Sequence, residues 1–181
     1  AHIYAEFDGE DIIQERLALA VTQLYASHPM LRMKITSEGQ QTISPLSSIH
    51  RLVVDDVKHL NAEETESFLI DKRAAKTDQK LDLENGQCIE ISATFHSQGK
   101  CRLHIDVDMI AVDAQSFRIL VEELAKFYTN EQCRKEVSER VPFFDYLERQ
   151  SSDNYLISKR KEDKKWEEEI KEIVEIKTIC L

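Results

Sequence analysis

Glycine and proline are scarce, with 4 and 3 among 181 residues. That scarcity excludes collagen-like, linker-like and low-complexity material. No run of about 20 apolar residues occurs, so no membrane-spanning helix is expected. The 4 cysteines, Cys88, Cys101, Cys133 and Cys180, form no CxxC pair and have no histidine at finger-like spacing. Neither a zinc site nor a disulfide framework is expected from them, and reduced structural thiols are. No basic-then-apolar leader opens the sequence, so a cytoplasmic location is expected. Positive charge is also in deficit: 24 Lys and Arg face 34 Asp and Glu, a net −10. Such a surface repels phosphate backbones, and no nucleic-acid partner is expected. The basic stretch 159–165 is diluted by Glu162, Asp163 and the acids at 167–169, and reads as a solvated helix face.

What is present is a 41% hydrophobic chain long enough for one core. Residues 2–7 alternate, with Ile3, Ala5 and Phe7 on one face, and read as a strand. Asp8-Gly9 predicts a turn and Asp11 a helix cap, before Ile13, Leu17, Ala20, Val21 and Leu24 recur at helical spacing to about Ser27, where Pro29 ends the run. Leu31, Met33 and Ile35 alternate with Arg32 and Lys34 and predict a strand. Glu38-Gly39 makes a turn that returns 41–43 as its hairpin partner. A short β-rich run covers 52–57. Asn61 and Glu64 have capping-box spacing for a helix to about Lys76. Residues 88–95 and 101–107 predict a hairpin, and a strongly amphipathic helix begins at Asp113. Pro142 opens a short helix through Leu147, and a charged helix with Trp166 as its one large anchor runs from about Asp153 to Ile173. Two parts are expected, 1–150 and 151–181. The start of the sequence reads as the middle of a strand and the apolar 174–181 as a tail that packs on something further, so a piece of a longer protein is expected.

Chemistry concentrates at one junction, Asp106-Val-Asp108-Met-Ile-Ala-Val-Asp113-Ala-Gln-Ser116. Alternation puts Arg102, His104, Asp106 and Asp108 on one strand face, and the chain then enters a helix. Carboxylates and a hydroxyl at such a junction are a common way to present reactive groups. The same residues also have a plain structural reading: Asp113 as a cap that the helix amides hold ionised, Asp106 and Asp108 as the wet face of a strand. Arg32, in His28-Pro-Met-Leu-Arg32, is a planar cation suited to a carboxylate partner if the two strands lie close.

Asp108-x-x-x-x-Asp113-x-x-Ser116 resembles the DxxxxDxxS signature of heterocyclization domains in nonribosomal peptide synthetases, especially those making siderophores. These are a branch of the condensation-domain family, whose amide-forming members carry HHxxxDG at the same place. The segments 2–8, 28–32 and 102–106 also resemble that family's N-terminal half, in order, and Phe143-Phe-Asp-Tyr146 with the Trp166 helix resembles the connector that follows.

The resemblance implies an α/β fold, a chloramphenicol-acetyltransferase-like lobe with an open mixed sheet and flanking helices, the first of two lobes. It implies no directly bound cofactor; phosphopantetheine arms arrive on peptidyl or aryl carrier domains, which with the second lobe are the expected partners. The implied reaction joins an acyl thioester to the amine of carrier-bound Cys, Ser or Thr, then closes and dehydrates the ring to a thiazoline or oxazoline. Carried over, Asp108, Asp113 and Ser116 are the catalytic signature, with Asp113 given to site architecture through a pairing with Arg32. Met109 stands where amide-forming domains have their second histidine. The alternatives are an amide-forming acyltransferase of the same fold, or an inactive fragment that only binds carrier or partner domains. Alone, the fragment is expected to be inactive.

Overall fold

The computed structural model describes residues 1–46, 51–135, 143–151 and 153–174. The chain falls into two compact units, Ala1–Arg140 and Val141–Leu181. The first is built on a mixed sheet of β1 (His2–Glu10), β6 (Lys100–Asp108), β5 (Ile89–Phe95) and β4 (Val53–Asp56), in that spatial order. The β1–β6 and β6–β5 pairs are antiparallel and β5–β4 is parallel. β2 (Met33–Ile35) and β3 (Gln41–Ile43) make a separate hairpin, turned by Gly39 at φ 76°.

Alternation sorts the sheet into two unlike faces. Odd positions, among them Ile89, Ile91, Ala93, Ile105 and Val107, are apolar and buried. They share one core with Leu17, Val21 and Leu24 of α1 (Gln14–Ser27) and Leu120, Leu124 and Phe127 of α3 (Ala114–Thr129). Each helix presents one apolar stripe, which is why both pack on that face. The other face, made of even positions in β1, β5 and β6 and odd ones in β4, is polar and is covered by α2 (Ala62–Thr77), whose Lys72, Arg73 and Lys76 reach down to Asp55, Glu6 and Glu90. The capping box at the start of α2 forms as its spacing predicts: Asn61 Oδ1 accepts from the Glu64 amide at 3.0 Å, and Glu64 Oε2 from the Asn61 amide at 2.9 Å.

Three local expectations are corrected. Asp8-Gly9 does not turn the chain, because pairing with the nine-residue β6 carries β1 on through Glu10, opposite Lys100. Asp11 therefore caps nothing. It takes φ 54°, a conformation aspartate tolerates, and its amide donates to the Gly99 carbonyl at 2.9 Å. The start of α1 is held instead by α3, through the Ile13 amide donating to the Tyr128 hydroxyl at 3.1 Å. Leu31 and Arg32 are likewise not in a strand. Pro29, with its fixed φ, opens a 3₁₀ turn over Pro29–Arg32, and extended backbone begins only at Met33.

In the first unit α4 (Glu131–Lys135) follows α3. The second unit contains α5 (Phe143–Gln150) and α6 (Asp153–Val174), on which Trp166 is exposed rather than anchoring. Pro142, Cys180 and the tail from residue 175 onward lie outside the described residues. Cys88, Cys101 and Cys133 are free thiols; burial pushes Cys88 up to about 12 and Cys101 to about 11, so neither is a nucleophile at neutral pH. Among the described residues no helix is long and apolar enough to cross a membrane.

Candidate active site

The signature occupies the connection from β6 to α3. Asp108 ends the strand; its amide donates to the Cys88 carbonyl at 2.8 Å, which ties it to the neighbouring strand. Its Oδ1 accepts from the Ile110 amide at 2.9 Å, closing a tight turn that leaves Met109 and Ile110 48% and 42% exposed. Val112 is buried and fastens the far end of that turn to the core. Asp113 then caps α3, its Oδ1 accepting from the Ser116 amide at 2.7 Å. The connection thus places Asp108 at the end of β6, Asp113 at the cap of α3 and Ser116 in that helix's first turn, with one short loop between two rigid elements. Beyond it, Ala114, Gln115, Arg118, Ile119 and Glu122 line an open depression of about 400 Å³ on α3.

Charge at Asp113 has a clear cause. The Ser116 amide, then its hydroxyl, holds the carboxyl below the usual carboxylate range. A group so fixed in its ionised form is a support, not a proton carrier. The expected ion pair with Arg32 is absent. Arg32 Nε donates to the Tyr25 carbonyl at 3.2 Å and Nη1 to the Ser44 carbonyl at 2.5 Å, so its guanidinium clasps the end of α1 to the segment after β3. The 3₁₀ turn aims it there, and α3 already supplies the amides that Asp113 needs. Replacing Asp113 by Ala is expected to lower the melting temperature by roughly 5 °C, with Ser restoring most of it, because a hydroxyl also caps; calorimetry on the three proteins checks this.

The polar strand face is not wet. His104 and Asp106 are each 1% exposed, because α2 lies over them. The hydroxyl of Tyr4 donates to Glu6 Oε1 at 2.7 Å and sits 2.8 Å from His104 Nδ1, while His104 Nε2 is 3.3 Å from Thr94 Oγ1. In the neutral Nδ1–H tautomer His104 donates to the Tyr4 oxygen and accepts from Thr94, so each of these protons has an acceptor. Glu6 is also gripped by Arg73, with Nε at 3.0 Å, and Arg102 Nε reaches Asp8 at 2.7 Å. At the other end Asp106 Oδ1 meets His2 Nδ1 at 2.7 Å, and burial pushes the Asp106 carboxyl upward. Sequence alternation placed these residues on one face but gave no sign of α2 above them, since that contact joins residues far apart in the chain.

Burial, with the Lys72 charge adding to it, lowers His104 from 6.5 to about 4. The folded protein therefore stays unprotonated there while the unfolded chain takes up a proton below pH 6.5. The stability this group contributes is complete above pH 6.5 and is lost as pH falls toward 4, by about 3 kcal/mol. Urea unfolding across that interval is expected to show the decline, and His104→Gln to flatten it.

The condensation-domain family profile matches residues 2–179. Phenyloxazoline synthase MbtB of Mycobacterium sp. (strain MCS) is 40% identical over 132 residues, 73% of this chain and 11% of that protein. Pyochelin synthetase PchE of Pseudomonas aeruginosa (strain UCBPP-PA14) is 28% identical over 162 residues, 90% of this chain and 11% of that protein. The chain thus spans about a tenth of the length of these curated relatives. Among solved structures, the EpoB cyclization-docking bidomain from Sorangium cellulosum superimposes with a TM-score of 0.72 at 25% identity, covering 92% of this chain and 34% of that one. The epimerization domain from the third module of tyrocidine synthetase B, at 23% identity and a TM-score of 0.61, shares the fold alone. The open mixed sheet with flanking helices is the lobe architecture that the sequence resemblance implies, and the chain belongs to the condensation-domain family.

Proposed function

We propose that this chain is the N-terminal lobe of a heterocyclization domain, condensing a carrier-bound acyl group with carrier-bound Cys, Ser or Thr and cyclodehydrating the product to a thiazoline or oxazoline in siderophore assembly. The carrying observation is the sequence Asp108–Ser116 standing intact at the β6–α3 connection, with Met109 exposed in the position of a histidine that amide formation uses. Relatives that are a phenyloxazoline synthase and a pyochelin synthetase support the ring-forming branch.

Amine attack needs an oriented, unprotonated amine, and ring closure and water loss need protons moved at the attacking and departing heteroatoms. Asp108, half-exposed at the loop's start, is the group assigned to contact with the reacting atoms. Asp113 and Ser116 hold the helix start behind it, and Arg32 supports the scaffold from the α1 end, not through Asp113. Phosphopantetheine is delivered on peptidyl or aryl carrier domains, a second lobe closes the site, and the location is cytoplasmic.

Intact-protein mass spectrometry of the parent synthetase, with its second lobe and loaded carriers, tests the reading. A carrier-bound product lighter by one water than the open amide is expected. An open amide as the end product would favour amide formation, and carrier binding without turnover would favour a docking role.

A further inference from the structure

His2 stands directly across from Asp108 in the β1–β6 ladder, so their side chains share the polar face with Cβ atoms about 5 Å apart. The His2 ring is engaged at both nitrogens. Nε2–H donates to the Thr77 carbonyl at the end of α2, at 3.0 Å, and Nδ1 lies 2.7 Å from Asp106 Oδ1. No ring nitrogen is left for substrate, so any influence of His2 on chemistry passes through its neighbours. Asp106 is almost wholly buried, and its other oxygen, Oδ2, has no partner among the described residues. Its one side-chain hydrogen bond is therefore the bond to His2, and losing that would leave a buried carboxyl uncompensated. The adjoining backbone completes the arrangement. The amide of Met109, the first residue after Asp108, donates to the carbonyl of Ala1, the residue before His2, at 2.9 Å.

We propose that His2 and Asp106 are positioning residues for the signature loop: with the Thr77 carbonyl they pin the start of β1, and through the Ala1 carbonyl they set where Met109, and with it the Asp108 carboxyl, stands. The proposal rests on the assignment of Asp108 to the reacting centre. Its structural part does not need turnover to be tested. Three elements meet at this one ring, β1, β6 and α2, and a shift of β1 there moves the acceptor on which the loop hangs.

Amide hydrogen exchange on the whole chain is the first arm. In His2→Ala the Met109 amide is expected to exchange about tenfold faster, while the Leu103 amide farther along β6 keeps its rate. His2→Asn, whose side-chain amide can replace Nδ1 as the hydrogen-bond partner of Asp106, is expected to recover most of the protection. Unchanged Met109 exchange in His2→Ala, or equal acceleration at Met109 and Leu103, would overturn the proposal, the latter because it marks a general loss of stability. The second arm is turnover in the parent synthetase. His2→Ala is expected to lower kcat about tenfold with KM nearly unchanged, as misplacement of a reacting group does, and His2→Asn to restore it. A wild-type kcat in His2→Ala with Met109 deprotected would overturn positioning and leave the ring-forming assignment intact. A wild-type parent that forms no cyclised product would overturn that assignment, and the exchange arm would then decide the loop anchor by itself.

Discussion

Alanine at Asp108 is expected to cut cyclised product about a hundredfold in the parent synthetase, the size of effect that losing one positioned proton-transfer group produces. Asparagine separates charge from shape. The Asp108 turn is closed by Oδ1 accepting from the Ile110 amide, and an asparagine carbonyl accepts in the same place. Asp108→Asn should therefore keep the wild-type melting temperature while losing turnover as Ala does. Product formation at the wild-type rate in Asp108→Asn would remove the carboxylate from the chemistry and leave it the role of a turn residue. Rapid-quench assays with mass-spectrometric detection, set beside calorimetry of each variant, give both quantities.

The largest effect on stability is expected at Leu24, on the inner face of α1. It is 1% exposed and lies in the core that α1, α3 and the odd face of the sheet share. Leu24→Ala removes buried methyl and methylene groups and leaves a cavity that rigid strands cannot collapse around. A loss of about 3 kcal/mol follows, or roughly 10 °C in melting temperature. Leu19, on the same helix but 59% exposed, is the internal control: Leu19→Ala should change stability by less than about 0.5 kcal/mol. Equal losses at the two positions, measured by urea unfolding, would contradict the burial of this face.

Under the proposed function, the β6–α3 loop matters more than the sheet, because one fold can carry different chemistry. The fold shared with an epimerization domain supplies a strand end and a helix start, and the proposal assigns the chemistry to the residues between them. Here that stretch carries exposed Met109 and Ile110 between two aspartates, one closing a turn and one capping a helix.

Local chemistry was written in the order of residues. The alternation of β5 and β6, the Asn61–Glu64 capping box, the Asp113 cap and the apolar stripe of α3 are each set by contacts within a few residues, and each forms as its spacing predicts. The signature residues were legible for the same reason, since Asp108, Asp113 and Ser116 lie within nine consecutive residues, from the end of β6 to the first turn of α3. What depends on distant partners was not. Strand β1 runs past Gly9 because β6 is long enough to pair with it. Arg32 turns to the Tyr25 and Ser44 carbonyls because a 3₁₀ turn replaces the strand that alternation suggested. The face holding His104 and Asp106 is dry because α2, thirty or so residues earlier in the chain, folds back across it. A polar side chain carries the same sequence signal whether water or a helix lies above it. Only the packing of α2 decides which, and with it whether His104 stays neutral and His2 closes on Asp106.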